Sequence, residues 1–431
     1  MKQLSTLSLL LLFCPIFLFA QNSLADRTDA LAKDVEQKVI NWRRDFHEHP
    51  ELSNREFKTA EKIAAHLTSL GLEVQTGIAH TGVVAILTGG KPGPVIGLRA
   101  DIDALPVVER VDVPFASKVR STYNGQDVGV MHACGHDTHI AIMMGVAEVL
   151  SKVKKDLHGT IKFIFQPAEE GAPQGEEGGA KLMVKEGVLK NPDVDLIFGL
   201  HINSTQEVGT INYTPKGAMA SSDVLRITVK GKQTHGSRPW AGADPITASA
   251  YIVSGLQTVV SRKSELTKSP AVVTIGAIHG GVRNNIIPEE VKMVGTIRTL
   301  DTEVQKRVHE EIRNTVTNIA ESMNTTAEVE IGIGYPVTYN DPALTESSLP
   351  ALKAAAGEEN VRLVEARTGA EDFSFFAKEV PGFYFFLGGR PKDIAKADAA
   401  PHHTPDFYID ESGFELGVRT FCRLVIDHMQ Q

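Results

Sequence analysis

The chain has 431 residues, too many for one ordinary domain of about 150, so two or three domains are expected. Apolar residues make up 42% and charged residues 23%, which excludes a disordered or fibrous chain. With 44 Lys+Arg against 53 Asp+Glu, the net charge of −9 argues against a nucleic-acid binder, and three cysteines cannot build a disulfide scaffold.

The long apolar run comes first. Lys2 supplies a positive start, Leu4 to Phe19 is almost wholly apolar, and Ser23-Leu24-Ala25 offers small residues for a cleavage site. A membrane anchor is the competing reading, but the run is short of the ~20 residues of a span and lacks a basic stop-transfer flank. Residues 1–25 are therefore expected to be an export signal. The mature protein should be periplasmic or secreted, with no stable membrane span. Cleavage after Ala25 removes Lys2 and no acid, so −9 becomes −10. It also removes Cys14. Cys134 and Cys422 remain, and one disulfide is the simple expectation in an oxidising compartment.

Val35, Val39, Trp42, Ile63, Ala64, Leu67 and Leu70 recur at helical spacing, so residues 27–70 read as helical, with Gly71 closing the second helix. Short β-branched runs near 83–87 and 95–99 flank a Gly/Pro turn and read as strands. A helix near 138–153, a strand near 160–165, a helix near 180–189 and a strand near 196–200 follow. This alternation predicts an α/β domain with a mostly parallel, buried central sheet flanked by helices. After about residue 214 the order becomes strand 224–230, helix 245–262, strands 271–278 and 291–299, helix 303–323 and strand 327–333. That β-α-β-β-α-β order is the ferredoxin-like α+β pattern. Segments near 343–356, 383–387 and 413–428 return to the first pattern. The expected organisation is a catalytic domain in two parts, 26–213 and 335–431, interrupted by an inserted domain at 214–334.

In open α/β sheets the ligand crevice lies beyond the carboxyl ends of the strands. Asp101 and Asp103, Glu169 and Glu170, and His201 each follow a predicted strand. Met131–His139 holds three His and one Cys within eight residues. Cys134 and His136 flank a single glycine, so both can turn to one side of a tight loop. Thiolate and imidazole suit first-row metals. Asp137 or Thr138 is expected to cap the following helix, and His139 to be a satisfied polar group on it. Adjacent residues in extended backbone point opposite ways, so one of Glu169 and Glu170 can hold an ion while the other takes a proton from water. Glu176-Glu177 reads as a charged turn ahead of a helix. His402-His403, in a Pro-containing loop, and His235, in a loop of the insert, gain weight only from the other groups.

Residues 43–53, 98–106, 131–139, 165–171 and 369–374 and His403-Thr404-Pro405 together resemble the aminoacylase/carboxypeptidase-like metallohydrolases. The likeness is strongest to the branch of bacterial N-acyl-amino-acid amidohydrolases, hippurate hydrolases and plant auxin-conjugate hydrolases. It keeps the motif order over nearly the whole mature chain. The resemblance implies a two-metal catalytic domain with a ferredoxin-like lid that forms homodimers. By motif position it makes Cys134, His136, Glu170, His201 and His403 the ligands of two divalent ions, manganese or zinc. It makes Glu169 the general base and Asp103 the group orienting a ligating His. His235 would reach over, from the lid or from a partner subunit, as an oxyanion donor, and Asn285 would be a further substrate contact. Many relatives carry a His where Asp101 stands, and in this branch Cys134 completes the set instead. The implied reaction is hydrolysis of the amide bond of small N-acyl amino acids (acetyl, benzoyl or similar). Dipeptidase or carboxypeptidase action is the alternative. A non-catalytic exported metal-binding protein is a further one, disfavoured by Glu169 beside Glu170.

Overall fold

The computed structural model describes residues 23–430, and residues 1–22 of the expected leader, Cys14 included, lie outside them. Two amphipathic helices lead, α1 (Leu24–Glu48) and α2 (Phe57–Ser69). Ser23 caps α1: its Oγ accepts from the Asp26 amide at 3.1 Å, and the Asp26 carboxylate accepts from the Ser23 amide at 3.2 Å. The helix thus begins ahead of the expected cleavage point after Ala25. Among the described residues no helix is long and apolar enough to cross a membrane.

The first part of the large domain continues with β1 (Glu73–Ile78), β2 (Gly82–Thr88), β3 (Lys91–Asp101), α3 (His136–Lys152), β4 (His158–Gln166), α4 (Gly179–Lys185), β5 (Leu196–Glu207) and β6 (Ile211–Tyr213). The insert is β7 (Ser222–Lys230), α5 (Pro245–Thr258), β8 (Ala271–Gly280), β9 (Glu290–Thr299), α6 (Thr302–Ser322) and β10 (Thr326–Tyr335). The chain returns through α7 (Pro342–Ala356), β11 (Val361–Leu363), α8 (Ser374–Glu379), β12 (Gly382–Arg390) and α9 (Phe414–Met429).

The large sheet has the order β1-β2-β4-β3-β5-β12-β6-β11. Its centre, β4-β3-β5-β12, is parallel. Apolar residues on both faces account for that burial. In β12, Phe383, Phe385 and Leu387 join the core under α1, α3 and α9, while Tyr384 and Phe386 point to the core under α4 and α8. The insert sheet, β8-β9-β7-β10, is antiparallel throughout. One face packs Leu225, Ile227 and Val229 against Ile252 and Leu256 of α5 and Ile312 and Val316 of α6. Asp244 and Asp301 cap those helices.

Four expectations are corrected. β5 runs on to Glu207, so His201 lies within the strand rather than after it. α3 starts at His136, and its N-cap residue is Gly135 with no side-chain cap. Asp137 is instead drawn into a buried network, 3.0 Å from Arg43 Nε and 2.7 Å from His47 Nδ1. Cys134 and Cys422 are both free and buried, Cys422 within α9, so no disulfide joins them.

One buried cation ties the carboxyl end of β3 to the segment before α8. Arg99 reaches Asp101 at 2.8 Å, Glu371 at 2.9 Å and Asp372 at 2.8 Å, and donates to Gln166 at 2.7 Å. Removing one partner of a buried ionic set leaves the others uncompensated. Arg99→Met should therefore lower stability by about 3–5 kcal/mol in urea unfolding followed by circular dichroism, and a loss below ~1 kcal/mol would contradict this account.

Candidate metal centre

The loop before α3 is built to aim two side chains the same way. Gly135 has φ +93°, and a Cβ there would meet Ile202 Cγ2 at 2.4 Å. Only glycine fits, which lets Cys134 and His136 turn to one side. His136 Nδ1 lies 2.9 Å from the Asp103 carbonyl oxygen and 3.2 Å from its Oδ1. That leaves Nε2 buried without a hydrogen-bond partner. It faces Asp101 Oδ2 and Glu169 Oε2, both at 3.8 Å, and Glu170 Oε1 at 3.9 Å. Asp103 also accepts from the amides of Glu169 at 3.1 Å and Glu170 at 3.0 Å, and from Ser53 Oγ at 2.7 Å. One carboxylate thereby fixes an imidazole and the Glu pair together.

Cys134 Sγ lies 3.3 Å from His201 Nε2 and 3.3 Å from His403 Nε2, and His403 Nε2 lies 3.0 Å from Glu170 Oε1. His201 Nδ1 is held by the Ile202 carbonyl at 2.5 Å, which turns Nε2 inward. Ligand atoms of Cys134, His136 and His201 lie within 4.8 Å of one another, as do those of Cys134, Glu170 and His403. All five residues expected as ligands therefore converge, with Cys134 common to both groups. The orphaned His136 Nε2 and the mixed thiol, imidazole and carboxylate donors fit first-row divalent ions. Asp101 is otherwise engaged: its oxygens meet His139 Nδ1 at 2.5 Å and Arg99 at 2.8 Å. His139 Nε2 accepts from the Ile202 amide at 2.8 Å, so His139 is the satisfied helix residue its position suggested.

The electrostatics point the same way. Burial, then Glu170 and Glu169, push the Cys134 thiol well above its usual range. Burial, then Glu371 and Glu170, raise Glu169. Burial opposes charge on His136, but Asp101, Asp103 and Glu170 outweigh it and push it up to about 10. Neighbouring carboxylates contribute to each of these shifts, and a dication would offset them while favouring the thiolate and carboxylate forms.

These groups open onto a cavity of about 340 Å³, faced on its other side by Met219, Tyr335, Arg367 and Phe386. Sequence reasoning gave several of its residues no role. His402 has Nδ1 3.6 Å from Cys134 Sγ and Nε2 accepting from the Ser204 amide at 3.2 Å. Burial, then His403, pushes it down to about 3. Tyr335, at the end of β10, donates to the Glu169 carbonyl at 2.6 Å and joins the insert to the site. Glu371 lies within the recognised 369–374 motif but was given no role, whereas nothing in the pattern singled out Arg367 or Tyr335. Glu176 pairs with Arg55 at 2.6 Å and stays out of the cavity, as a charged turn should.

His235 and Asn285 do not reach it. Both are exposed on the insert, side by side: the Gly236 amide donates to the Asn285 carbonyl at 2.9 Å. His235 Nδ1 accepts from the Ser237 amide at 3.0 Å. The single chain in this arrangement brings neither an oxyanion donor nor a substrate contact from that loop.

The chain matches the model of "Peptidase family M20/M25/M40" over residues 97–427. It is 40% identical to the "Thermostable carboxypeptidase 2" of Saccharolobus solfataricus over 396 residues, 91% of this chain and 96% of that protein. It is 38% identical to an "N-acetylcysteine deacetylase" of Bacillus subtilis over 395 residues, covering 91% and 97% respectively. Among solved structures it resembles the YXEP protein of Bacillus subtilis, titled a dinuclear metal binding peptidase from the M20 family. That likeness has a TM-score of 0.76 at 36% identity, over 92% of this chain and 99% of that one.

Gly135→Ala tests the loop. The strained φ and the contact with Ile202 should cost about 1–3 kcal/mol in thermal unfolding and lower metal content measured by atomic emission. An unchanged Tm and full metal content would show that the turn does not depend on glycine.

Proposed function

This chain belongs to peptidase family M20/M25/M40 and is a metal-dependent hydrolase of amide bonds, and on that premise we propose that it deacylates small N-acyl amino acids. The observation that carries this reading is the pair Glu169 and Glu170. Glu170 meets His403 among the converging donors, while Glu169 stands beside them in the same cavity, and among the described residues no Lys or Arg is bound to its carboxylate. Cys134, His136, Glu170, His201 and His403 would hold two divalent ions. When bound, such ions supply Lewis acidity to the scissile carbonyl and acidify water.

The rest falls to the chain. Glu169 takes the proton from the attacking water and returns it to the leaving amine nitrogen. Asp103, through the Glu169 amide, and Tyr335, through the Glu169 carbonyl, hold that base on a fixed backbone. Asp103 also fixes the His136 ring so that Nε2 faces the cavity. The cavity, about 340 Å³, is near the small end of ligand sites, which suits a compact N-acyl amino acid. The deacetylase relative supports that substrate, and the carboxypeptidase relative supports short peptides as the alternative. The thiolate donor favours zinc on grounds of softness, with manganese the other candidate. The same reading includes export by residues 1–25 and a homodimer through the insert. Exposed Trp240, Tyr251 and Val282 on the insert suit a contact with a second copy, which would offer a route for His235 to a site.

Glu169→Gln should lower kcat for N-acetyl amino acids by about 10²–10⁴-fold with metal content unchanged. Wild-type turnover by this variant would remove the assigned base. Asp103→Ala should weaken metal binding by about 10–100-fold in competition with a chelator, and unchanged affinity would contradict its orienting role.

A further inference from the structure

Among the described residues the fully buried guanidinium groups are paired, whereas a half-buried one at the cavity is not. Arg43 meets Asp137, and Arg99 meets Asp101, Glu371 and Asp372. Arg367 is half-buried, and among the described residues no carboxylate engages its guanidinium. Its position is nevertheless fixed. The Arg367 amide donates to the Ala218 carbonyl at 2.9 Å, its carbonyl accepts from the Ala220 amide at 3.0 Å, and its Cζ stands 3.8 Å over the Phe386 ring. The stack holds the flat guanidinium in place and leaves its donor edge free.

Arg367 is also the one Lys or Arg among the residues lining the cavity that holds Glu169 and Cys134. It lies at a junction, because it lines a second, smaller cavity of about 180 Å³ as well. Arg362, Arg390 and Lys396 line that space, and of these Arg390 meets Glu207 at 3.3 Å. Cationic side chains in that space outnumber its one acid, Glu207. Burial pushes the Arg367 pKa down, to about 10, which still leaves the group charged at neutral pH. A preorganised, unpaired guanidinium beside a reaction site is suited to one kind of ligand group, a carboxylate bound by two parallel hydrogen bonds.

We propose that Arg367 is the specificity-determining anchor for the free carboxylate on the amino-acid half of the substrate. This rests on the N-acyl amino acid reading above and deepens it. Such a substrate carries its carboxylate one carbon from the scissile nitrogen. Anchoring it at Arg367 directs the amide toward Glu169 and the ligand cluster. It also disfavours substrates whose carboxylate is blocked, because they leave the guanidinium without a partner.

The test compares N-acetylmethionine with its uncharged carboxamide, using metal-loaded full-length protein. Steady-state kinetics are run on the wild type, Arg367→Gln and Arg367→Lys. Calorimetric binding is run on the same series carrying Glu169→Gln, so that turnover is slowed. The wild type should prefer the acid by about 10–100-fold in KM and in Kd, the worth of a charge-assisted hydrogen bond. Arg367→Gln should lose that preference in both KM and Kd, and Arg367→Lys should keep part of it. The same preference in Arg367→Gln as in the wild type would overturn the proposal. So would equal losses on both ligands, which would mark Arg367 as a brace for Phe386 only. If neither ligand is hydrolysed yet the binding preference still follows Arg367, the anchor stands and the deacylase reading falls.

Discussion

The structure depends on how it tolerates like charge at the carboxyl ends of its central strands. Asp101, Asp103, Glu169, Glu170, Glu371 and Asp372 crowd one neighbourhood, and all but Glu170 are almost wholly buried. Carboxylates so placed repel and raise one another's pKa. Arg99 answers on one side by taking Asp101, Glu371 and Asp372. Even so, burial pushes Asp372 up to about 8, with Glu371 adding to it against the pull of Arg99. On the other side Glu169, Glu170 and Cys134 face imidazoles across the cavity. The proposed dications would balance that half. The same arrangement that costs stability in the bare protein is thus what would make the site selective for divalent ions.

Asp103 connects this electrostatic problem to the fold. It stands two residues beyond the end of β3's pairing with β4, where Asp101 sits opposite Gln166. Parallel pairing brings the segments after β3 and β4 together, so the Asp103 carboxylate can accept from the Glu169 and Glu170 amides. The α3 loop then lays His136 on the same residue. Three stretches distant in sequence are held by one side chain. The insert reaches the proposed base through the bond from Tyr335 to the Glu169 carbonyl, while its His235 loop remains at the surface. A motion of the insert would therefore act on the backbone of the proposed base.

Much of this was legible in the sequence where packing follows a simple period. Ala32, Val35, Val39 and Phe46 mark the buried side of α1, and the alternation of β12 serves both cores. The insert's β-α-β-β-α-β order was readable for the same reason. β1 was not, because its Glu73, Gln75 and Thr76 are exposed at the sheet edge and carry no apolar signal. β5 was read too short because its far half is polar yet buried. There Gln206 donates to the Phe386 carbonyl at 3.1 Å, and Asn203 Oδ1 accepts from the Thr205 amide at 2.9 Å. Satisfied polar groups hide a strand from hydrophobic patterning. At the site, chelating residue types announced Cys134 and His136 and marked the Glu169-Glu170 pair, while the full set with His201 and His403 came from motif position in the family resemblance. Arg367 was silent and His402 was noted only as the neighbour of His403, since an isolated Arg or a neighbouring His acquires meaning only from what surrounds it. The lid residues His235 and Asn285 show the converse: motif position did not bring them to the cavity of the single chain.

The central claim is that Cys134 and its four companions bind two divalent ions. Titration of the metal-free protein with cobalt, followed through the sulfur-to-cobalt charge-transfer band in the near ultraviolet, tests it most directly. The account predicts saturation at two ions per chain, with a thiolate band that disappears in Cys134→Ser. Saturation at a single ion, or full cobalt loading with no thiolate band and a Cys134 still reactive toward thiol reagents, would contradict it.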